Sequence, residues 1–153
     1  MLNAGATAPT FTLADLFGKK HALPEILERG AVLIAFFKIS CPTCQLSMPY
    51  LQRLAAGSLQ VVGISQDDER GTQRFLTAYS VTMPMLLDRE EDGYPASNAF
   101  GIAHVPSLFL VETDGTISIA TSGFLKRDLE AIGRRAGVEP FHADDHVPEW
   151  KAG

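Results

Sequence analysis

The chain has 153 residues, 46% of them hydrophobic, and a formal net charge of −5. That length supports one domain with a full core and no need of disulfide staples. The acidic charge is spread rather than blocked, which argues against nucleic acid as a partner, and no apolar run reaches membrane-spanning length. The opening MLNAGATAPT lacks the basic and apolar regions of a signal peptide, so a cytoplasmic protein is expected.

In chain order, TFTLADLFGKKHALPEIL starts with a short alternating run, turns at Gly18-Lys19 and resumes at His21–Leu23. That pattern predicts an N-terminal hairpin. The near-continuous apolar run Val32–Lys38 predicts a strand covered on both faces. A helix follows from about Pro42 to Ala56, with Cys44, Met48, Leu51 and Ala55 on one face and Pro49 inside it as a kink. LQVVGIS at 59–65 predicts a second buried strand, and Asp67 or Asp68 can cap a helix running to Tyr79.

MPMLLD at 83–88 predicts a short strand and YPASNAFGI a short helix or turn. Ser107–Val111 and Thr116–Ala120 flank Asp114-Gly115, a strong hairpin signal. A last helix spans about Leu125–Ala136 and ends at Gly137. Residues 138–153 carry Pro140 and Pro148 and are expected to be an irregular tail, with Phe141, Val147 and Trp150 as apolar anchors. Strand and helix alternate and then give way to a hairpin and a helix. That order is an α/β sandwich around a mixed sheet.

The two cysteines, Cys41 and Cys44, stand three positions apart in SCPTC, just past the first buried strand and at the start of a helix. In such sheets chemistry collects at the carboxyl ends of strands. The unpaired N–H groups of a helix start favour negative charge, and so a thiolate at Cys41. Cys44, one turn deeper, faces the core. The asymmetry suits disulfide exchange, in which Cys41 attacks and Cys44 resolves. Zinc would need ligands that the chain lacks: there are no further cysteines, and His21 and His104 have no ligand spacing. His142 and His146 are spaced like ligands but lie in the tail.

Several separated stretches carry a family resemblance over roughly residues 3–137. They are GATAPTFTLADLFGKKHAL, VLIAFFKIS running into CPTC, Pro49 five residues after Cys44, VVGISQDDE, and FGIAHVPSLFLVETDG. In that order they resemble the redoxin group of thioredoxin-fold proteins, which includes TlpA-like thiol–disulfide oxidoreductases and AhpC/TSA peroxiredoxins. The resemblance implies a thioredoxin-like α/β fold for residues 1–137, a central mixed sheet with helices on both faces and an N-terminal hairpin extension. It implies Cys41 as nucleophile, Cys44 as resolving thiol and Pro106 as a cis-proline facing them. Val105 would present its backbone to substrate, with Pro42 and Thr43 completing the substrate-binding surface. No cofactor or metal is implied. The partners implied are a disulfide in a protein or small molecule and a thiol donor such as a thioredoxin or glutathione system.

Four positions depart from the familiar patterns. Ser40 stands where thioredoxins carry tryptophan before the first cysteine, and Ala35 where they carry a buried acid. Lys38 stands where peroxiredoxins carry the threonine that orients peroxide, and Ile34 where their motif starts with proline. Lys38 and His104 are candidates to hold Cys41 as thiolate. The expected function is thiol–disulfide exchange. Two alternatives stand beside it: a thiol peroxidase with Cys41 peroxidatic and Cys44 resolving, and a non-enzymatic metal carrier.

Overall fold

The computed structural model describes residues 1–153. Its N-terminal hairpin pairs β1 (Thr12–Ala14) with antiparallel β2 (Lys20–Ala22). Asp15 closes the turn: its Oδ1 accepts from the N–H groups of Phe17 and Lys19 at 2.8 and 3.0 Å, and its Oδ2 meets His21 Nε2 at 2.8 Å. Pro24, pre-set for a first helical turn, then opens a short α1 (Leu23–Leu27) that the hairpin pattern alone did not separate.

The predicted first buried strand is β3 (Val32–Phe37), buried at all of its positions. It leads into α2 (Pro42–Leu54), followed by β4 (Gln60–Ser65) and α3 (Glu69–Ala78). The N-cap of α3 is Asp68, whose carboxylate accepts from Gly71 N–H at 2.7 Å. Next come β5 (Met85–Leu87), a 3-10 turn over Glu90–Asp92, α4 (Pro95–Ala99) and β6 (Ser107–Val111). The second arm of the Asp114-Gly115 hairpin is β7 (Ile117–Ser122), shifted from the expected 116–120 because Thr116 is used in the turn. The chain continues through β8 (Phe124–Leu125) into α5 (Lys126–Ala136).

These elements make one five-stranded mixed sheet in the order β5-β4-β3-β6-β7, with β3 central. β3 runs parallel to β4 and antiparallel to β6. Side chains alternate along a strand, so β3 feeds two cores. Leu33, Ala35 and Phe37 pack with Met48 and Leu51 of α2, Phe75 of α3 and Leu129 and Ile132 of α5. Val32, Ile34 and Phe36 pack with Leu13 of the hairpin, Leu23 of α1, and Phe100 and Phe109. A central strand covered on both faces must be apolar throughout, and this one is.

The tail departs from the irregular chain expected of it. Trp150–Lys151 forms β9, antiparallel to β8, with Phe124 opposite Lys151 and Leu125 opposite Trp150. The cause is the free edge of β8, whose backbone groups need partners; Lys126 N–H extends the pairing to Glu149 O at 3.0 Å. Phe141 and Val147 do pack against the core, but Trp150 is 61% exposed and is no anchor. Arg53 fastens the middle of the tail, donating to Pro140 O at 2.9 Å and to Asp145 Oδ2 at 2.6 Å. The guanidinium hydrogen bond, with His142 N–H, holds the Asp145 carboxyl down at about 2.

Candidate active site

The site forms where β3 ends and α2 begins. Pro42 fits the first turn of a helix, which needs no donor there, and leaves Cys41 as the N-cap with extended backbone (φ −85°, ψ 117°). Cys41 Sγ accepts from Cys44 N–H at 3.1 Å, so the thiol group does the capping that Ser or Asp does elsewhere. On its other side Sγ donates to Val105 O at 3.3 Å. The sulfur thus has one partner for each protonation state: an N–H for the thiolate and a carbonyl for the thiol. Both cysteines are free thiols.

Cys44 lies one turn along on the inner face of α2 with no exposed surface, in the cluster that holds Met48 and Leu51. Burial pushes its thiol well above the ordinary range. The neighbouring Cys41 adds to that rise, and a backbone contact from Lys38 opposes it. The pair is therefore unequal in the way the sequence pattern suggested: one sulfur at a helix start and partly open, one buried behind it.

The wall facing Cys41 is the segment that enters β6. The Val105–Pro106 peptide bond is cis. Ser107 Oγ donates to His104 O at 2.7 Å and fixes the turn. A cleft of about 460 Å³ lies between this segment and the helix start, lined by Lys38, Cys41, Pro42, Gln66, His104 and Val105 among others. The expected site residues meet in this cleft, with three exceptions. Pro106 is buried and is not part of the lining. Thr43 is buried and turned away from it, its Oγ1 donating to Ala152 O at 2.6 Å. Cys44 is reached only through Cys41. Lys38 Nζ lies 5.8 Å from the Tyr94 ring centroid, within reach of a cation–π contact.

Three features of the site went unread in the sequence. Asp67 does not cap α3; its Oδ2 reaches back to accept from Ile39 N–H at 2.8 Å, bracing the loop that carries Cys41. Gln66 enters the cleft lining while its Nε2 donates to Ser97 Oγ at 2.8 Å. Ser97 Oγ in turn donates to the fully buried Asp88, whose carboxylate also accepts from the N–H groups of Ala96 and Ser97. The third is Gly153, which joins the cleft wall beside Val105. A second cavity, about 430 Å³ and lined by Asp15, His21, Met83 and Met85, lies under the hairpin and contains neither cysteine.

A mixed five-stranded sheet, helices on both faces and a cysteine pair at the start of the helix after the central strand together define a thioredoxin-fold protein. The AhpC/TSA family model matches residues 4–120, and the chain belongs to that family. Thiol-disulfide oxidoreductase ResA from Geobacillus thermodenitrificans (strain NG80-2) is 27% identical over 132 residues, covering 82% of this chain and 74% of the relative. The thioredoxin domain of a thiol-disulfide oxidoreductase from Bacteroides vulgatus superposes with a TM-score of 0.77 at 22% identity, over 89% of this chain and 99% of that one. Peroxidoxin BcpB from Mycobacterium tuberculosis superposes with a TM-score of 0.71 at 22% identity, over 89% and 94%. The two solved structures share the fold with this chain, and the same fold thus carries both chemistries that the sequence left open. No helix of the chain is long and apolar enough to cross a membrane.

Proposed function

We infer that this chain is a thiol–disulfide oxidoreductase in which Cys41 attacks a substrate disulfide and Cys44 resolves the product. The observation that carries the reading is the inequality of the two sulfurs. Cys41 Sγ caps a helix beside an open cleft, while Cys44, bonded through its N–H to that sulfur, is buried with its thiol held protonated. The Cys41 thiolate attacks one sulfur of a disulfide RSSR, forming the mixed disulfide and expelling RS⁻. Cys44 then attacks Cys41 Sγ, closing the Cys41–Cys44 disulfide and expelling the second RS⁻, with the Cys44 proton going to that leaving thiolate. The substrate gains two electrons and the protein dithiol loses two. A thiol donor returns them.

Val105 and Pro106 oppose the attacking sulfur and shape its approach, with Pro42 forming the near rim. Lys38 and His104 line the cleft, and electrostatic support of the thiolate is their proposed task. A thioredoxin or glutathione system is the proposed donor, and the cytoplasm, where such donors work, the proposed setting. The peroxidase alternative is weaker. Lys38 occupies the position of the peroxide-orienting threonine, and the hydroxyl of Thr43 is spent on Ala152 rather than aimed at Cys41.

The test is a paired rate measurement on the reduced protein, quenched by alkylation and read by intact mass. One arm contains bis(2-hydroxyethyl) disulfide, the other equimolar hydrogen peroxide. Passage through a hydroxyethyl adduct to the Cys41–Cys44 disulfide, with peroxide reacting only as fast as with a free thiol, is the expected result. Complete peroxide oxidation within seconds, ahead of any disulfide exchange, would replace this reading by the peroxidase one.

A further inference from the structure

The tail reaches further than its core anchors require. Beyond β9 it runs to the wall of the cleft, and one hydrogen bond and two close approaches place it there. Thr43 Oγ1, inside the CPTC motif itself, donates to Ala152 O at 2.6 Å. Gly123 lies so close under Lys151–Gly153 that a Cβ there would meet Lys151 O. Gly153 lies against the Val105 carbonyl, the same oxygen that Cys41 Sγ approaches, so closely that a Cβ at 153 would overlap it. Gly123 thus lies under the segment and Gly153 ends it against Val105, and at either place a larger residue would push the strand away.

We propose that Trp150–Gly153 is a specificity-determining strap that admits small-molecule disulfides to Cys41 and keeps out disulfides embedded in a polypeptide. The proposal rests on the oxidoreductase reading above. An attacking sulfur needs its target in line and within bonding reach, so the incoming disulfide must enter the cleft beside Val105. With the strap in place that cleft measures about 460 Å³, and Gly153 is one of its walls. A small disulfide fits such a space whole. A polypeptide must bring flanking backbone alongside Val105 and Pro106, and Ala152–Gly153 already lies on that strip. Thr43, buried beneath the strap, is a positioning residue: it acts by holding Ala152 rather than by touching substrate.

The strap has few ties of its own. β8 and β9 pair over two residues each, and Lys126 Nζ reaches Glu149 Oε1 at 3.6 Å with the glutamate largely exposed. Removing the pairing should free it without touching the cysteines. Lys151→Pro deletes a backbone donor in β9. Gly153→Val adds the Cβ that collides with the Val105 carbonyl.

The experiment compares reduction of insulin with reduction of bis(2-hydroxyethyl) disulfide by the 153-residue protein and by each variant, with dithiothreitol as donor. Intact protein should favour the small disulfide. Lys151→Pro should raise the insulin rate about 10-fold or more, since the open form of such a segment is populated at roughly 0.1–10%. Its rate with the small disulfide should stay the same, and Gly153→Val should raise the insulin rate as well. A second readout is independent of both variants. Trp150 is the only tryptophan, so its fluorescence anisotropy reports the strap. In Cys44→Ser protein it should fall when Cys41 carries a peptide as mixed disulfide and hold when Cys41 carries hydroxyethyl. Equal insulin rates in intact and variant proteins, or an unchanged Trp150 signal with peptide bound, would overturn the strap and leave the oxidoreductase standing. No exchange with either disulfide would overturn both.

Discussion

Cys44 pays for its position in the core with a thiol that resists ionisation, and that has a consequence for stability. Its folded value is raised, so the folded state keeps a proton that the unfolded chain gives up near the ordinary thiol value of 9.0. With more protons bound in the folded state, stability is full below that pH and falls as pH rises through it. The slope from this one group is at most about 1.4 kcal/mol per pH unit. Thermal melts of the reduced protein from pH 8 to 10.5 should therefore steepen downward above about pH 9. Cys44→Ala should lose that component while keeping whatever other groups contribute. A variant with the same pH slope as the parent would show that Cys44 is not held protonated. At this scale the cysteines were legible because CxxC after a buried strand is a dense signal. Asp67 and Gln66 were not. Two adjacent aspartates look alike as caps, and only the folded loop shows that Asp68 caps α3 while Asp67 reaches 28 residues back to Ile39.

Among the elements, α2 couples the site to the core. Its first turn holds Cys41 and Thr43, and its buried face runs from Cys44 through Met48 and Leu51 to Leu54. Leu51 has no exposed surface, and truncating such a residue costs its transfer energy and leaves a cavity. Leu51→Ala should cost about 2–5 kcal/mol, read as a melting temperature lower by roughly 5–15 °C. The disulfide-exchange rate of the folded fraction should be little changed, because Leu51 lies two turns from Cys44. A loss below about 1 kcal/mol would mean that this face of α2 repacks freely. Periodicity and the capping glycine foretold this helix and the end of α5 at Gly137, since each depends on neighbours in sequence. Periodicity missed α1, whose five residues are too few to show a period, and β9, whose partners Leu125 and Phe124 lie 25 and 27 residues before Trp150 and Lys151.

Across the whole molecule, the end of β3 and the entry to β6 meet at one end of the sheet β5-β4-β3-β6-β7, and the tail joins them there through Gly153. The first two were foreseen from buried strands and the proline before SLFLV. The third was not, because short polar stretches with two prolines carry no period that fixes where they lie. The resulting scaffold is shared with a thiol-disulfide oxidoreductase domain and with a peroxidoxin, so the overall architecture does not choose the chemistry. For the oxidoreductase reading to stand, Cys41 and Cys44 must act as one reversible two-electron couple. The most direct measurement is a redox titration against dithiothreitol buffers, with free thiols alkylated at each potential and counted by intact mass. Both labels should be lost together, in one transition between about −270 and −120 mV. Labels lost singly, or thiols that persist at every potential tested, would contradict the oxidoreductase reading.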